Sequence, residues 1–98
     1  MAEVKWTPQA ADDLEGVTNF IAADSPQYAS LFASDALAAV ERLTAFPRSG
    51  RIVPEVNDPA IREILLGHYR IVYRIKGDLV QILTVHHGAR PLDPSRLK

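Results

Sequence analysis

Ninety-eight residues, 47% of them hydrophobic, suffice for one domain around a single core (residues 1–98) and leave no room for a second. Cysteine is absent, which excludes a disulfide framework, a thiolate metal site and a cysteine nucleophile, and suits a reducing cytoplasm. The net charge of −1 speaks against a strongly electrostatic partner, yet residues 1–41 hold one base, Lys5, against seven acids, whereas residues 42–98 hold ten bases against five acids. The C-terminal part can therefore present a positive surface.

In chain order, the opening MAEVKWTPQAADD lacks the basic and then apolar run of a secretory signal, and no apolar stretch approaches the ~20 residues of a spanning helix, so no membrane segment is expected. Residues 2–6 alternate weakly and predict a short strand offering Val4 and Trp6. Thr7 and Pro8 then give a helix start, a hydroxyl N-cap followed by proline at the first helical position. Ala10, Leu14, Val17 and Ile21 follow on one helical face, and Asp12, Asp13 and Glu15 lie near the N-terminus, where the macrodipole favours acids. Ser25 and Pro26 repeat the start signal. Ala29, Phe32, Ala33, Ala36, Val40 and Leu43 trace the apolar face of a second helix that Pro47 ends near Phe46. The short link predicts an antiparallel helix hairpin.

Residues 47–60 (PRSGRIVPEVNDPA) carry three prolines and no period, which predicts a loop. Strands are then predicted over Ile61–Leu66, over Tyr69–Ile75 after a turn at Gly67 and His68, and from Leu79 to about His86 after a turn at Lys76, Gly77 and Asp78. Along YRIVYRI, Ile71, Tyr73 and Ile75 share one face and Arg70, Val72 and Arg74 the other, so one sheet face can pack on the helices while the opposite one carries arginines. The expected fold is α+β: a short N-terminal strand and an antiparallel helix hairpin packed on a small, mainly antiparallel C-terminal sheet, in the order βααβββ.

Arg62, Arg70, Arg74 and Arg90, with His86 and His87, come from three strands or their ends and could converge on one sheet face, where guanidinium groups suit phosphate and a histidine can move protons near neutral pH. Arginines on an exposed face are also commonly just solvated. His86 and His87, adjacent on a strand, point to opposite sides and cannot chelate one metal together, and His68 has no ligand partner at a useful spacing, so no metal is expected. Glu55, in the proline-flanked loop, is a candidate general base. Phosphate-cradling loops, the nucleophile elbow and the zinc-binding helix motif are all missing, and no cofactor is expected.

Taken together and in order, KWTPQAADDLEGVTNFIA (5–22), LTAFPRSGRIVPE (43–55), IRE (61–63), YRIVYRI (69–75) and VHHGAR (85–90) resemble the RelE/ParE superfamily of bacterial toxins over nearly the whole chain. The resemblance implies the toxin of a type II toxin–antitoxin system, cytoplasmic, held inactive in a hetero-oligomer by a cognate antitoxin whose flexible segment adds a helix or strand to its surface. It leaves two activities. RelE-like members cut messenger RNA on the ribosome. ParE-like members poison DNA gyrase. Against YoeB-like nucleases, Glu55 falls at the glutamate base, Arg70 at the transition-state arginine and His87 near the penultimate histidine, while Gly88 replaces the terminal tyrosine and ten more residues follow. The near-neutral balance, the PxxGRxVPE loop and the HGAR ending look more like ParE, which implies a gyrase inhibitor acting by binding rather than an enzyme, neutralised by its antitoxin and serving growth arrest and plasmid stabilisation. Arg62, Arg70, Arg74, His86, His87, Arg90 and Arg96 are then the expected target-binding surface, with Arg90 to Arg96 the most sensitive part. The alternative is a metal-independent, ribosome-dependent ribonuclease.

Overall fold

A computed structural model describes residues 1–97. Strand β1 (Glu3–Trp6) leads into helix α1 (Pro8–Asp24) and helix α2 (Pro26–Glu41), which a 3-10 turn extends over Arg42–Thr44. Strands β2 (Arg51–Ile52), β3 (Ile61–Leu66), β4 (Tyr69–Lys76) and β5 (Leu79–His87) follow, and a 3-10 turn over Pro94–Leu97 is the last element of the described residues. The five strands form one sheet in the order β1-β5-β4-β3-β2, antiparallel except where β1 runs parallel to β5. The predicted order holds with one addition, the two-residue β2 inside the proline-rich loop, too short to leave a periodic signal.

Both helix starts form as their caps predict. The Thr7 hydroxyl accepts from the Ala10 N–H (3.2 Å) and donates to the Ile82 carbonyl (2.7 Å), so the cap of α1 also moors the helix to β5. Ser25 ends α1 with its backbone N–H on Ile21 and starts α2 with its hydroxyl accepting from Tyr28. One residue thus serves both ends of a tight helix hairpin. Asp12, Asp13 and Glu15 lie beyond the first turn of α1, and Asp13 makes tertiary contacts instead, accepting from Thr84 and Arg96.

The core between helices and sheet gathers Ala10, Ala36, Val40, Leu43, Ile71, Tyr73, Val80 and Ile82. The opposite face of the sheet is not the free arginine-bearing surface expected from YRIVYRI. It holds a second, smaller core of Val53, Ile61, Val72, Leu83, Leu92 and Leu97, covered by the 53–60 loop and the C-terminal segment. A bulge supplies the switch between them: Val72 pairs with Thr84 but Tyr73 with Ile82, so Leu83 is the extra residue on β5. Ile82 and Val85 then face the helices while Leu83 enters the second core.

Tyr73 ties the two-residue strand to the rest. Its buried hydroxyl accepts from the Gly50 N–H (3.0 Å) and donates to the Pro47 carbonyl (2.7 Å). Burial raises its pKa, so the phenol stays protonated and able to donate. Gly50 is needed here for closeness: a Cβ would lie 2.6 Å from both the Glu63 carbonyl oxygen and the Tyr73 hydroxyl. Gly50→Ala should cost about 1–3 kcal/mol through overpacking, and Tyr73→Phe about 1–3 kcal/mol through two buried backbone groups left unpaired. Urea denaturation of both variants checks this, and unchanged midpoints would mean the 47–51 segment is not held by this contact.

Candidate functional site

Arg70 is the centre of the only buried charge cluster among the described residues. It lies on β4, 6% exposed, on the face of the second core. The hairpin register explains its neighbour: the turn at Gly67 and His68 pairs Leu65 with Arg70 and Glu63 with Val72, which sets Glu63 diagonally beside Arg70 on the same face. The Arg70 Nε donates to Glu63 Oε1 at 2.5 Å, and its Nη1 and Nη2 donate to Glu55 at 2.6 and 2.7 Å. Arg51 on β2 donates from Nε to the other Glu63 oxygen. Glu63, with no exposed side-chain area, is thus shared by two guanidinium groups, and Arg70 by two carboxylates.

The forked hydrogen bond from Arg70 holds the Glu55 carboxyl at a pKa of about 2, against a partial desolvation that pushes it up. The same bond, with the one to Glu63, raises Arg70 further above its ordinary value. Two of the three candidate catalytic groups are therefore bound to one another. The third, His87, stands at the end of β5, where its ring meets Tyr69 edge-on (5.2 Å) and stacks on His68 (6.4 Å). Its Nδ1 accepts from the Ala89 N–H at 3.1 Å, which leaves Nε2 as the nitrogen open to other partners. Arg70 and His87 line one small cleft of about 300 Å³ together with Arg51 and His68.

The other sequence candidates do not converge on one face. Arg62 pairs across the sheet with Tyr73 and so lies on the helix side, where it donates to the carbonyls of Arg48, Gly50 and Pro59. Arg74 donates to the Leu97 carbonyl and holds the C-terminal segment. Arg96 grips both oxygens of Asp13 (2.8 and 2.9 Å), and its own carbonyl accepts from Gln9. The His86 Nε2 donates to the Arg90 carbonyl (3.0 Å), and the Arg90 guanidinium is exposed without a side-chain partner among the described residues. His86, His87, Arg90 and Arg96 line a second, larger groove of about 580 Å³ between α1 and the end of β5. Sequence reasoning passed over Glu63, Arg51 and Asp13. Working out the register of the Gly67 hairpin would have found Glu63, since a lone acid amid the apolar positions of a strand, diagonal to an arginine, is a buried pair in the making.

Glu63→Ala should cost about 1.5–3 kcal/mol, because the buried Arg70 Nε loses its carboxylate, while Nη1 and Nη2 keep Glu55 and the half-exposed Arg51 can turn to water. Chemical denaturation reads this directly. Glu55 contributes differently with pH. Its folded pKa lies below the ordinary 4.5, so its stabilisation is complete above about 4.5 and fades as pH falls toward about 2. The stability difference between the wild type and Glu55→Gln should hold constant from pH 7 to 5 and shrink from pH 4.5 to 3. A difference that does not vary with pH would remove the ionic contribution.

Comparison with known proteins bears on this arrangement. Residues 4–92 match the family model of the ParE toxin of type II toxin–antitoxin systems, parDE. Toxin RelE2 of Caulobacter vibrioides is 32% identical over 91 residues, spanning 92% of this chain and 99% of that protein. Among solved structures, the chromosomal ParDE toxin–antitoxin system of P. aeruginosa superposes with a TM-score of 0.72 at 27% identity, covering 89% of this chain and 96% of that one. The toxin–antitoxin complex RelBE2 of Mycobacterium tuberculosis shares the fold at 23% identity, with a TM-score of 0.58 over 88% of this chain and 96% of that one. The protein belongs to the ParE toxin family of type II toxin–antitoxin systems, within the RelE/ParE superfamily.

Proposed function

We propose that this toxin arrests growth by inhibiting DNA gyrase through binding and is neutralised in a complex with a cognate antitoxin. The observation that carries the reading is the closed Glu55–Arg70–Glu63 cluster. A general base works best with a pKa near the operating pH, and a carboxylate held at about 2 is a weak one. An arginine that stabilises a phosphorane must aim its donors at the reacting phosphate, whereas each Arg70 nitrogen here donates to a carboxylate. The net charge of −1 also suits the dense phosphate surface of a ribosome poorly. Of the arginines expected to contact a target, Arg90 is the one whose guanidinium is exposed with no hydrogen bond to a side chain or backbone among the described residues, with His86 and His87 beside it and Arg96 fixed by Asp13. The antitoxin reading draws on the P. aeruginosa ParDE and M. tuberculosis RelBE2 systems, both toxin–antitoxin pairs.

One observation favours ribosome-dependent RNA cleavage as a second reading: Arg70 and His87 share a cleft, so an opened Glu55–Arg70 pair would assemble the candidate triad. The relative in Caulobacter carries a RelE name. His87→Ala separates the readings better than Arg70→Ala, which would remove the partner of Glu55 and leave the buried Glu63 with Arg51 alone. Deletion of residues 91–98 is equally ambiguous, because Leu92 and Leu97 are buried there.

Titrating the protein into gyrase with ATP and supercoiled or relaxed plasmid should give dose-dependent loss of supercoiling with trapped cleavage complexes, prevented by the antitoxin. His87→Ala should retain this activity, and Arg90→Ala should raise the half-inhibitory concentration about tenfold, the equivalent of ~1.4 kcal/mol of contact. Unaffected gyrase, together with ribosome-bound messenger RNA cut by the wild type and spared by His87→Ala, would overturn the proposal in favour of the nuclease.

A further inference from the structure

Residues 91–97 lie across the sheet face on which alternation sets Arg70, Val72 and Arg74. Leu92 and Leu97 enter the second core, and the Leu97 carbonyl accepts from Arg74. The Arg96 carbonyl accepts from Gln9 (2.8 Å), and the Arg96 guanidinium holds both oxygens of Asp13 (2.8 and 2.9 Å). Each of these contacts is made by a side chain. Among the described residues no backbone hydrogen bond joins residues 91–97 to a strand, and the N–H groups of Ser95 and Arg96 donate inward to Asp93. The segment can therefore lift away without breaking a sheet ladder, unlike β2, which pairs with β3 through its backbone.

The ionic part of the attachment is replaceable. The Arg96 and Asp13 side chains keep 41% and 21% of their surface in water, so the pair adds little to stability, and an acidic group brought by another molecule can compete for the same guanidinium. Asp13 keeps a place of its own without Arg96, since it also accepts from the Thr84 hydroxyl. Opening changes what the surface presents. With the segment down, Arg74 and Arg96 are committed to it and the exposed Arg90 guanidinium stands alone. With the segment lifted, Arg74 and Arg96 are released, and Val72 and Leu83 lose the cover of Leu92 and Leu97. The arginine-bearing face expected from YRIVYRI is then uncovered in part.

We infer that residues 91–97 form a detachable strap, latched by Arg96 on Asp13, that gates the cationic surface of this protein. The inference rests on the proposal above that arginines near the end of β5 meet the target, and adds what controls how many are presented. A target whose acidic groups take Arg96 from Asp13 pulls the strap open, so opening and binding favour one another.

The test follows amide hydrogen exchange of the full-length chain and, in parallel, inhibition of gyrase supercoiling. Asp13→Asn keeps an acceptor for Thr84 while removing the ionic latch, and Arg96→Gln removes the latch from the strap alone. In the wild type the Arg96 amide should exchange well before those of β4 and β5, and both variants should speed it about two- to fivefold, the range of an exposed ion pair, with β4 and β5 unchanged. Asp13→Asn, which deletes no cation, should lower the half-inhibitory concentration for gyrase by a similar factor. An Arg96 amide that exchanges together with β4 and β5, or one that neither variant speeds, would overturn the strap. A strap loosened in Asp13→Asn with gyrase inhibition unchanged or weaker would overturn the gating and leave the gyrase reading standing. Wild type that leaves gyrase untouched would overturn that reading and the gating with it, whatever the exchange rates show.

Discussion

The Arg70 guanidinium is the constraint on which the second face of the sheet depends. It reaches Glu63 on the neighbouring strand and Glu55 in the 53–60 loop, so one side chain joins β4, β3 and the loop that covers the smaller core. Desolvation offsets much of the Coulomb attraction in a buried pair, and an apolar replacement of the same shape can be as stable. The cluster matters chiefly for position. With Glu63 buried, a slip of the β3–β4 hairpin by one residue would carry its carboxylate to the helix side, away from both arginines, and that large penalty specifies the register. The loop follows, because Glu55 can satisfy Arg70 only when Val53 and Val56 are packed on the sheet.

The other face is organised by the parallel pairing of β1 with β5. That pairing brings the start of α1 onto β5, where Thr7 and Gln9 both donate to its backbone carbonyls and Asp13 accepts from Thr84. The same Asp13 holds Arg96, so the first helix and the last turn of the chain are joined through one carboxylate. The C-terminal segment is therefore part of the structure, with Leu92 and Leu97 in the second core and Arg74 bound to its backbone. Positive charge that the sequence places in the tail is partly committed to holding the tail down.

How much of this was legible depends on whether the signal was local. The two helices, their shared cap at Ser25 and the strand limits of Ile61–Leu66 follow from capping chemistry and periodicity, which act over a few residues. The fate of the arginines was not legible in that way. Alternation correctly sets Arg70, Val72 and Arg74 apart from Ile71, Tyr73 and Ile75, yet it says nothing about what covers their face. The cover comes from Val53 nearly twenty residues upstream and from Leu92 and Leu97 about twenty downstream, in segments with no period of their own. Arg62 was misplaced for a related reason, since its face is fixed by pairing with Tyr73 rather than by its own strand. At the candidate site, residue type named Glu55, Arg70 and His87, but only the geometry puts Glu55 on Arg70 and His87 at the strand end.

This division of labour bears on how one scaffold serves different targets. Chemistry on a phosphate needs an arginine whose donors are free and a base whose pKa lies near neutrality. Here the fold uses the arginine and the loop glutamate to hold its own second core, so the interior of that face is committed to stability. On the proposed binding reading, contact falls to what the fold leaves exposed near the end of β5: the Arg90 guanidinium, with Phe20 on α1 across the groove. Loosening the Glu55–Arg70 pair would shift the balance the other way, freeing both side chains for other partners while weakening the loop that brings them together.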